Sequence, residues 1–475
     1  MPHDTHITEV AEFESLVADP EIPLQQPPRL PGGLPGLGHA MAFSRDPVAF
    51  LVKGQDAMRG PFTFDLLGKK VAYFFGPEAN AAVLAAGDDV LDRRIAYRAA
   101  IASLGEGVGI GAEPKLMAEQ LAPLVPALQR KAMERHVPIM LHEVREYVSG
   151  WAASGEINLV DVMHDLSAHV AAHCLAGPQL ASCLQGRLPH LMRDLQAGMF
   201  LGLLVNPYLP LPPFRRRDRA REELVRAVKA VHRETTPDGK ELGSDQQDLF
   251  RRFKEVRFSD GSRSDEDLAA RLVLNAMFAA TETTAAHAAW TGVLLLQHPE
   301  WLSSLQMEQD RLSLDQPQIT PQLFRQMVHL RHCVMEAERM QPSVPLLMRT
   351  TKADFQHGPY RVPPGQMIML SPAASHRLPH VFRDPNRYDP GRFGPGREEH
   401  RSRPSPLVGF GGGQHPCLGM NFAYQQIMAI WSVLLRTFDM ELVSPSLRRD
   451  RSIAVNTPRR PCLMRYRRRV GPSAR

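Results

Sequence analysis

The chain has few cysteines for its length, and their spacing marks neither a disulfide framework nor a zinc site. Five cysteines occur in 475 residues, and none lies in a C-x-x-C or C-x-x-H pattern. An odd, sparse set is untypical of secreted disulfide-rich proteins, so each cysteine needs its own interpretation. They are Cys174, Cys183, Cys333, Cys417 and Cys462.

Long apolar runs are also missing. The longest, such as residues 292–296, fall far short of the ~20 residues that span a bilayer. The N-terminus is acidic and lacks the basic start and apolar stretch of a signal peptide. These absences predict a cytoplasmic protein without a membrane anchor.

The chain has no large excess of charge of either sign. Lys and Arg number 56 against 51 Asp and Glu, which gives a formal net charge of +5. In a chain of this length, that balance does not indicate nucleic-acid binding. Hydrophobic residues are 43% and charged residues 23% of the chain, a composition that supplies a large core and excludes disorder of the whole chain.

Proline and glycine divide the chain into a lead-in and one large body. They crowd residues 20–38, so residues 1–35 are predicted to form an extended lead-in. A β-hairpin is predicted over residues 62–75 around a Gly-Lys-Lys turn, and helical periodicity dominates from Glu78 to about Leu330. Residues 36–470 are predicted to form a single large domain, mainly α with small β-sheets.

The most clearly marked helix follows Ser264. Asp265, Glu266 and Asp267 suit its first turn, and the pattern runs to His298-Pro299, which is about thirty residues or roughly 45 Å. Few large side chains occupy its middle, so a flat or bulky group can approach it closely. A further helix is predicted over residues 421–435 and a strand over residues 367–370.

The strongest chemical signal is the segment FGGGQHPCLG at residues 410–419. Cys417 comes just before a predicted helix, where backbone N–H groups and the helix dipole favour negative charge on sulfur. Such a thiolate can bind iron. Gly411 and Gly413 let the backbone lie against a planar cofactor, and Phe410 can limit water at the sulfur. The alternative is a glycine turn with a buried free cysteine.

Two weaker motifs precede this segment. Glu336 and Arg339 lie one helical turn apart and can form an ion pair, a spacing that is common on solvated faces. The sequence AATETT at residues 279–284 places an acid and a hydroxyl midway along the long helix. Taken alone, that segment is ordinary packing of a Thr/Ala-rich helix.

In their order along the chain, these motifs resemble those of the cytochrome P450 superfamily, and the resemblance extends over residues 37–468. It implies a P450 fold around a buried haem b whose iron is ligated by the Cys417 thiolate. It makes Glu282 and Thr283 the catalytic pair that delivers protons to bound dioxygen. The structural triad that it implies is Glu336, Arg339 and Arg392. The other cofactor contacts that it implies are His415, Arg349, Phe410, Gly411, Gly413, Gly419, Ala279, Ala280 and Tyr97.

Within the family, the chain most resembles the sterol 14α-demethylase branch, through LPLPPFRRRDRA at residues 209–220 and through His415. It departs from that branch where the branch recognises substrate. Glu282 stands where the branch has histidine, and residues 104–111 lack the expected aromatic and tyrosine side chains. The lid pattern at residues 196–200 is only partly kept.

The helix predicted over residues 116–128 lacks the basic residues that would meet a haem propionate. Lys115 or Arg98 is therefore expected to take their place.

The resemblance implies a monooxygenase that inserts one oxygen atom from dioxygen into a bulky hydrophobic substrate. A terpenoid, steroid or polyketide would suit, hydroxylated or epoxidised in secondary metabolism. Sterol 14α-demethylation and a non-catalytic haem- or ligand-binding role remain as alternatives.

Electrons are expected from a separate donor of the ferredoxin or flavodoxin type. The arginine-rich runs at residues 215–221 and 465–469 are either solvated faces or a docking surface for that donor.

Overall fold

The computed structural model describes residues 24–469, apart from residues 96, 185, 200–201, 203–204, 236–248, 316–318, 445–447 and 451–454. Most of the predicted lead-in lies outside the described residues, and so does residue 200, the last of the 196–200 lid segment. The predictions that the N-terminus carries no signal peptide and no membrane anchor concern this part of the chain. The domain limits at residues 36 and 470 stay a prediction.

Helices make up most of the described chain. They are α1 (Ala40–Arg45), α2 (Pro47–Met58), α3 (Pro77–Ala85), α4 (Arg98–Leu104), α5 (Pro114–Leu121), α6 (Leu124–Leu128), α7 (Arg130–Ser149), α8 (Leu159–Ala176), α9 (Gln179–Cys183), α10 (Leu188–Leu195), α11 (Pro212–Thr235), α12 (Leu249–Lys254), α13 (Glu266–Gln297), α14 (Pro299–Asp315), α15 (Pro321–Arg325), α16 (Val328–Met340), α17 (Pro372–Ser375) and α18 (Met420–Thr437). Among these described helices, none combines the length and apolar character needed to cross a membrane.

The strands form small sheets, as the sequence predicts. They are β1 (Phe62–Leu66), β2 (Lys69–Tyr73), β3 (Leu91–Asp92), β4 (Ser154–Asn158), β5 (Leu347–Thr351), β6 (Phe355–His357), β7 (Tyr360–Val362), β8 (Met367–Leu370), β9 (Phe438–Leu442) and β10 (Leu463–Arg468). The main sheet has the order β1-β2-β8-β5-β3, and β4-β10-β9 and β6-β7 form two others.

The main sheet contains both strand features that the sequence predicts. β1 and β2 pair antiparallel, with Phe62 opposite Tyr73. The turn between them is Leu67-Gly68, one residue earlier than the predicted Gly-Lys-Lys turn, because Lys69 and Lys70 already pair with β1. β8 occupies the predicted residues and runs parallel to β2. The mainly α class with small sheets is confirmed.

The helix predicted after Ser264 is α13, the longest in the described chain at 32 residues, or about 48 Å. Asp265 caps its first turn, because its carboxylate accepts a hydrogen bond of 2.7 Å from the N–H of Leu268. The helix ends before Pro299, which disfavours continuation of the helix at His298. α13 packs along α8 and crosses α18.

A close contact fixes the crossing of α13 and α18. The Trp431 ring lies directly against Gly292, where a Cβ atom would overlap it. The indole N–H of Trp431 also donates a hydrogen bond of 3.0 Å to the carbonyl of Ala288, and the ring is fully buried. Only glycine leaves space for the ring at this position.

The single helix predicted over residues 116–128 is wrong. α5 ends at Leu121, and the short α6 begins only after Pro123. Proline has no N–H to donate and its ring clashes with the preceding turn, so the helix is interrupted there. A much longer helix, α7, then begins at Arg130.

The cysteines outside residues 410–419 differ in burial. Cys333 is buried, as its helical apolar context predicts, whereas Cys174 is only half-buried. Cys462 is also buried and Cys183 is exposed. Burial raises the pKa of the Cys333 thiol above its ordinary range, so that side chain behaves as a small hydrophobic residue.

We expect Gly292→Val to destabilise the protein by about 1–3 kcal/mol or more, because the added side chain must displace the Trp431 ring. Urea denaturation followed by circular dichroism measures the change. Gly150→Ala is the matched control, since no atom lies within 4 Å of its added Cβ. Equal stability of the two variants would contradict the packing argument.

Candidate functional site

The middle of α13 is open on one side, although most of the helix is buried. Ala279 is exposed, and Phe278, Glu282 and Thr283 are partly exposed, whereas neighbouring residues on the other faces are buried. Their spacing of three to four residues places them on one stripe. The predicted oxygen-activation segment therefore faces a cleft.

Thr283 presents an acceptor to this cleft. Its hydroxyl donates a hydrogen bond of 2.8 Å to the carbonyl of Ala279, so the lone pairs of the hydroxyl oxygen are left to accept a further hydrogen bond. The carbonyl of Thr283 itself accepts from the Ser343 hydroxyl at 2.7 Å. These contacts hold the hydroxyl in a defined orientation.

Glu282 is paired with a buried histidine that the sequence reasoning missed. Glu282 Oε1 and His164 Nε2, which lies on α8, are 2.6 Å apart. Only 4% of the His164 side chain is exposed. Burial lowers the pKa of His164, but the carboxylates of Glu282 and Asp165 outweigh this effect and the pKa is raised. The raised pKa favours the protonated imidazole, whose Nε2–H donates to Glu282.

The second nitrogen of His164 leads toward the protein surface. Its Nδ1 lies 3.6 Å from Asp165 Oδ1, which is longer than a hydrogen bond, and this nitrogen has no other hydrogen-bond partner in the described chain. Asp165 Oδ1 instead accepts a hydrogen bond from Arg193 on α10. The groups thus run in series from Glu282 to the partly exposed Asp165.

Cys417 lies in the loop between Gly409 and α18, as predicted. The Cys417 N–H donates to the Phe410 carbonyl at 3.0 Å, which closes the loop. Burial raises the pKa of the Cys417 thiol, while the N–H groups of Gly419 and Met420 lower it. The side chain is nevertheless exposed, so its sulfur is accessible to a ligand.

Two contacts fix where this loop sits. The Phe410 ring lies 6.3 Å from the ring of His287, which is one turn beyond Thr283 on α13. Gly413 has a φ of 59° and packs against the carbonyl of Leu84 on α3, where a Cβ atom would overlap. The adjacent Gln414 N–H donates to that same carbonyl at 2.9 Å. The loop is held between α3 and the centre of α13.

A cationic cluster lies at the edge of the loop. His415 Nε2 is 2.9 Å from Asp88 Oδ1. Burial lowers the pKa of His415, and the positive charges of Arg93 and Arg349 lower it further against the opposing effect of Asp88. Tyr97 acts electrostatically on Arg93 and therefore lies near it. The predicted contacts Arg349, His415 and Tyr97 are thus neighbours.

Neither Lys115 nor Arg98, the basic residues expected from the sequence, belongs to this cluster. Lys115 is exposed, and Arg98 is exposed and points to Asn206 at 3.4 Å. Arg93 takes the position instead. Arg93 directly follows β3, at the edge of the main sheet. Its place at a strand end is the sequence signal that could have identified it.

The three members of the predicted triad meet and are fully buried. Glu336 accepts hydrogen bonds of 2.7 and 2.9 Å from Arg339 and two of 3.1 Å from Arg392. The Asp389 N–H adds another at 2.9 Å. Because both guanidinium groups also donate to backbone carbonyls, the buried charges are solvated by the protein.

The two arginine-rich runs are mostly paired within the chain. Arg217 is buried and donates to the Pro207 carbonyl at 3.0 Å, so it is not part of a solvated face. Arg465 and Arg469 pair with Glu441 and Asp310. This pairing favours a structural role for the 465–469 run over a docking surface.

The residues present fit the haem that the resemblance implies. An accessible sulfur at a helix N-terminus, small side chains on α13 and a cluster of two guanidinium groups and an imidazole provide ligand, space and partners for carboxylate groups.

Comparison with known proteins agrees with this arrangement. The family model described as "Cytochrome P450" matches residues 28–463. The chain is 34% identical to a sterol 14-demethylase of Arabidopsis thaliana over 93% of this chain and 91% of the relative. It is 33% identical to a sterol 14alpha-demethylase of Mycobacterium bovis, over 94% and 98%.

The solved structure of retinoic acid-bound cyanobacterial CYP120A1 has the same fold. It superimposes with a TM-score of 0.79 at 22% identity and covers 94% of this chain and 100% of that one. The predicted P450 fold is confirmed.

We expect Cys417→Ala to abolish the band of the reduced carbon-monoxide complex that marks thiolate-ligated haem, because the variant has no sulfur at the ligand position. Absorption spectra of the purified proteins measure this. Cys183→Ala, at an exposed position remote in sequence, should keep the band. A Cys417→Ala protein that retains it would disprove the assignment.

We expect His164→Gln to cost about 2–3 kcal/mol of unfolding free energy in acid and less as the pH rises. The pKa of His164 is raised in the folded protein, so its contribution is fully present below the ordinary value of 6.5 and is lost as the pH rises through the folded-state pKa.

Urea titrations of wild type and variant across this pH range give the difference. His190→Gln, at an exposed position on α10, is the control. A difference that grows with pH would rule out a protonated His164 paired with Glu282.

Proposed function

The chain belongs to the cytochrome P450 family and is a haem-dependent monooxygenase, and from this premise we propose that it inserts one oxygen atom of dioxygen into a bulky apolar molecule such as a terpenoid, steroid or polyketide. The predicted chemistry, hydroxylation or epoxidation in secondary metabolism, is part of this proposal. Membership of an enzyme family argues against the non-catalytic alternative.

One observation carries the proposal. Ala279, Glu282 and Thr283 open onto a cleft in the middle of a buried helix, and the loop that bears Cys417 packs against the same helix one turn away, through Phe410 and His287. The stripe that carries a small residue, an acid and a hydroxyl thus lies one helical turn from the contact made by the cysteine-bearing loop. Oxygen insertion requires these groups together.

We propose that the Cys417 thiolate would bind the iron of haem b. The Gly419 and Met420 N–H groups stabilise its negative charge. Arg93, Arg349 and His415 would hold the propionates, and Ala279 and Ala280 would lie beside the cofactor. Phe410 limits access of water to the sulfur. When bound, haem would supply the iron needed for oxidation of the substrate by dioxygen and two electrons.

The proton in this proposal comes along α8. His164 Nε2 holds a proton 2.6 Å from Glu282 Oε1, a distance at which it can pass directly to the carboxylate. The neutral His164 that results keeps its proton on Nδ1, 3.6 Å from Asp165 Oδ1, so Nε2 must take up a proton before the next transfer. Glu282 and Thr283 then present proton donor and acceptor to the cleft.

Polar contacts hold the loop after α4 against α13. Tyr208, which precedes α11, donates to Glu106 in this loop. Gln120 fixes the loop through Gly107 and Gly109, and Gly109 packs on Asn275 of α13, one turn before Ala279. Polar groups in this position would suit a substrate that carries oxygen at one end.

Sterol 14α-demethylation is the second candidate. The observation that favours it is the 30–34% identity to sterol 14-demethylases over at least 93% of the chain. The loop at residues 104–111 and Glu282 are the departures that favour a different substrate.

The electron donor is proposed to be a separate ferredoxin or flavodoxin. Cytoplasmic location remains a prediction.

We expect a terpenoid, steroid or polyketide to shift the Soret band of the purified protein and to yield a product heavier by one oxygen atom when electrons are supplied. Absorption titration followed by mass spectrometry tests this. Thr283→Ala should bind the same compound with the same shift and form less product per electron.

Release of the methyl carbon from a 14α-methyl sterol would select demethylation instead. Absence of oxygenated product from every compound that shifts the band would contradict oxygen insertion.

A further inference from the structure

Glu338 is a buried acid that neither the triad nor the proton path uses. It lies on α16 between Glu336 and Arg339 and is 4% exposed. Residues two apart on a helix point to nearly opposite sides, so Glu338 faces away from the triad. Burial raises its pKa to about 7, against the opposing effect of hydrogen bonds from Tyr424 and Gly409.

The Glu338 carboxylate contacts both ends of the segment that contains Cys417. It accepts a hydrogen bond from the Tyr424 hydroxyl on α18 and one from the backbone N–H of Gly409, before Phe410. A Cβ atom at Gly409 would overlap this carboxylate, so glycine permits the approach. The Phe410 and Tyr424 rings pack 5.3 Å apart between these two ends.

The same carboxylate acts on the Cys417 sulfur. Gly409, which the carboxylate holds, precedes Phe410, and the Phe410 carbonyl accepts a hydrogen bond of 3.0 Å from the Cys417 N–H. The carboxylate is thus linked to the backbone of Cys417 through Gly409 and Phe410, and its charge acts electrostatically on the sulfur. A negative charge in this low-dielectric surrounding increases the electron density that a thiolate donates to its metal.

We propose that Glu338 is a positioning residue for Cys417, whose carboxylate braces the two ends of the ligand loop and whose charge lowers the reduction potential of the bound iron. The inference rests on the proposed assignment of Cys417 as the haem ligand. It concerns a residue outside the motifs that led to that assignment.

The test is the midpoint potential of the haem-loaded Glu338→Gln protein at about pH 8.5, where the wild-type carboxylate is ionised. At a fixed applied potential, we expect the ratio of reduced to oxidised iron to be about tenfold higher than in wild type, which corresponds to 59 mV for a one-electron couple. The reduced carbon-monoxide band of thiolate haem should be kept.

Glu308→Gln is the matched control. Glu308 is also buried with a raised pKa, and it accepts hydrogen bonds from the N–H groups of His329 and Leu330. No effect of Glu308 on the Cys417 sulfur is found in the described chain. Its variant should keep the wild-type potential.

If Glu338→Gln does not retain haem, the double variant Glu338→Met with Tyr424→Phe is measured instead. Its reference protein is the single variant Tyr424→Phe. The double variant removes the hydroxyl that would otherwise be left unpaired, and it carries the same expectation. A potential equal to that of the reference protein, with the thiolate band present, overturns the role of Glu338. Loss of the band in wild type would instead overturn the assignment of Cys417.

Discussion

The contact between Trp431 and Gly292 positions the helix on which the whole site depends. α13 carries the open stripe of Ala279, Glu282 and Thr283, and every other part of the site is placed relative to it. The indole of Trp431 packs against Gly292, which has no side chain. This contact fixes both the distance between α13 and α18 and the rotation of α13 about its axis. A rotation of α13 by one residue would turn Glu282 away from His164 and present a different side chain to the cleft.

The partly exposed carboxylate of Glu282 and the buried carboxylate of Glu338 have different hydrogen-bond partners. Glu282 receives a proton-bearing imidazole and opens onto the cleft, whereas Glu338 receives neutral donors from Tyr424 and Gly409 and is closed off. The first arrangement suits proton movement, because donor and acceptor are both titratable. The second holds a carboxylate near the loop that bears Cys417, with partners that do not lose protons at ordinary pH. The two acids are therefore specialised by their partners and not by residue type.

The features that the sequence predicts correctly are those that depend on residues close together in the chain. Asp265 and Pro299 delimit α13, and residues 410–419 identify the loop that bears Cys417. The ion pair predicted from the i,i+3 spacing of Glu336 and Arg339 is likewise present in the structure. The features that the sequence does not predict depend on contacts between distant segments. Glu282 and His164 are 118 residues apart, and no periodicity links them. The helix interrupted at Pro123 is a different case, because the proline is itself a local signal in the sequence.

The anchoring of the ligand loop on α3 has a consequence for how the protein is made. Gln414 bonds to Leu84, and His415 pairs with Asp88 at a separation of 327 residues. Contacts of such high sequence separation form late, because closing a long loop costs conformational entropy before the contact stabilises the chain. During synthesis, the N-terminal half of the cofactor pocket must therefore wait for nearly the entire remaining chain to be translated. The contact of α3 with the loop that bears Cys417 is therefore available only once residues 410–419 have been made.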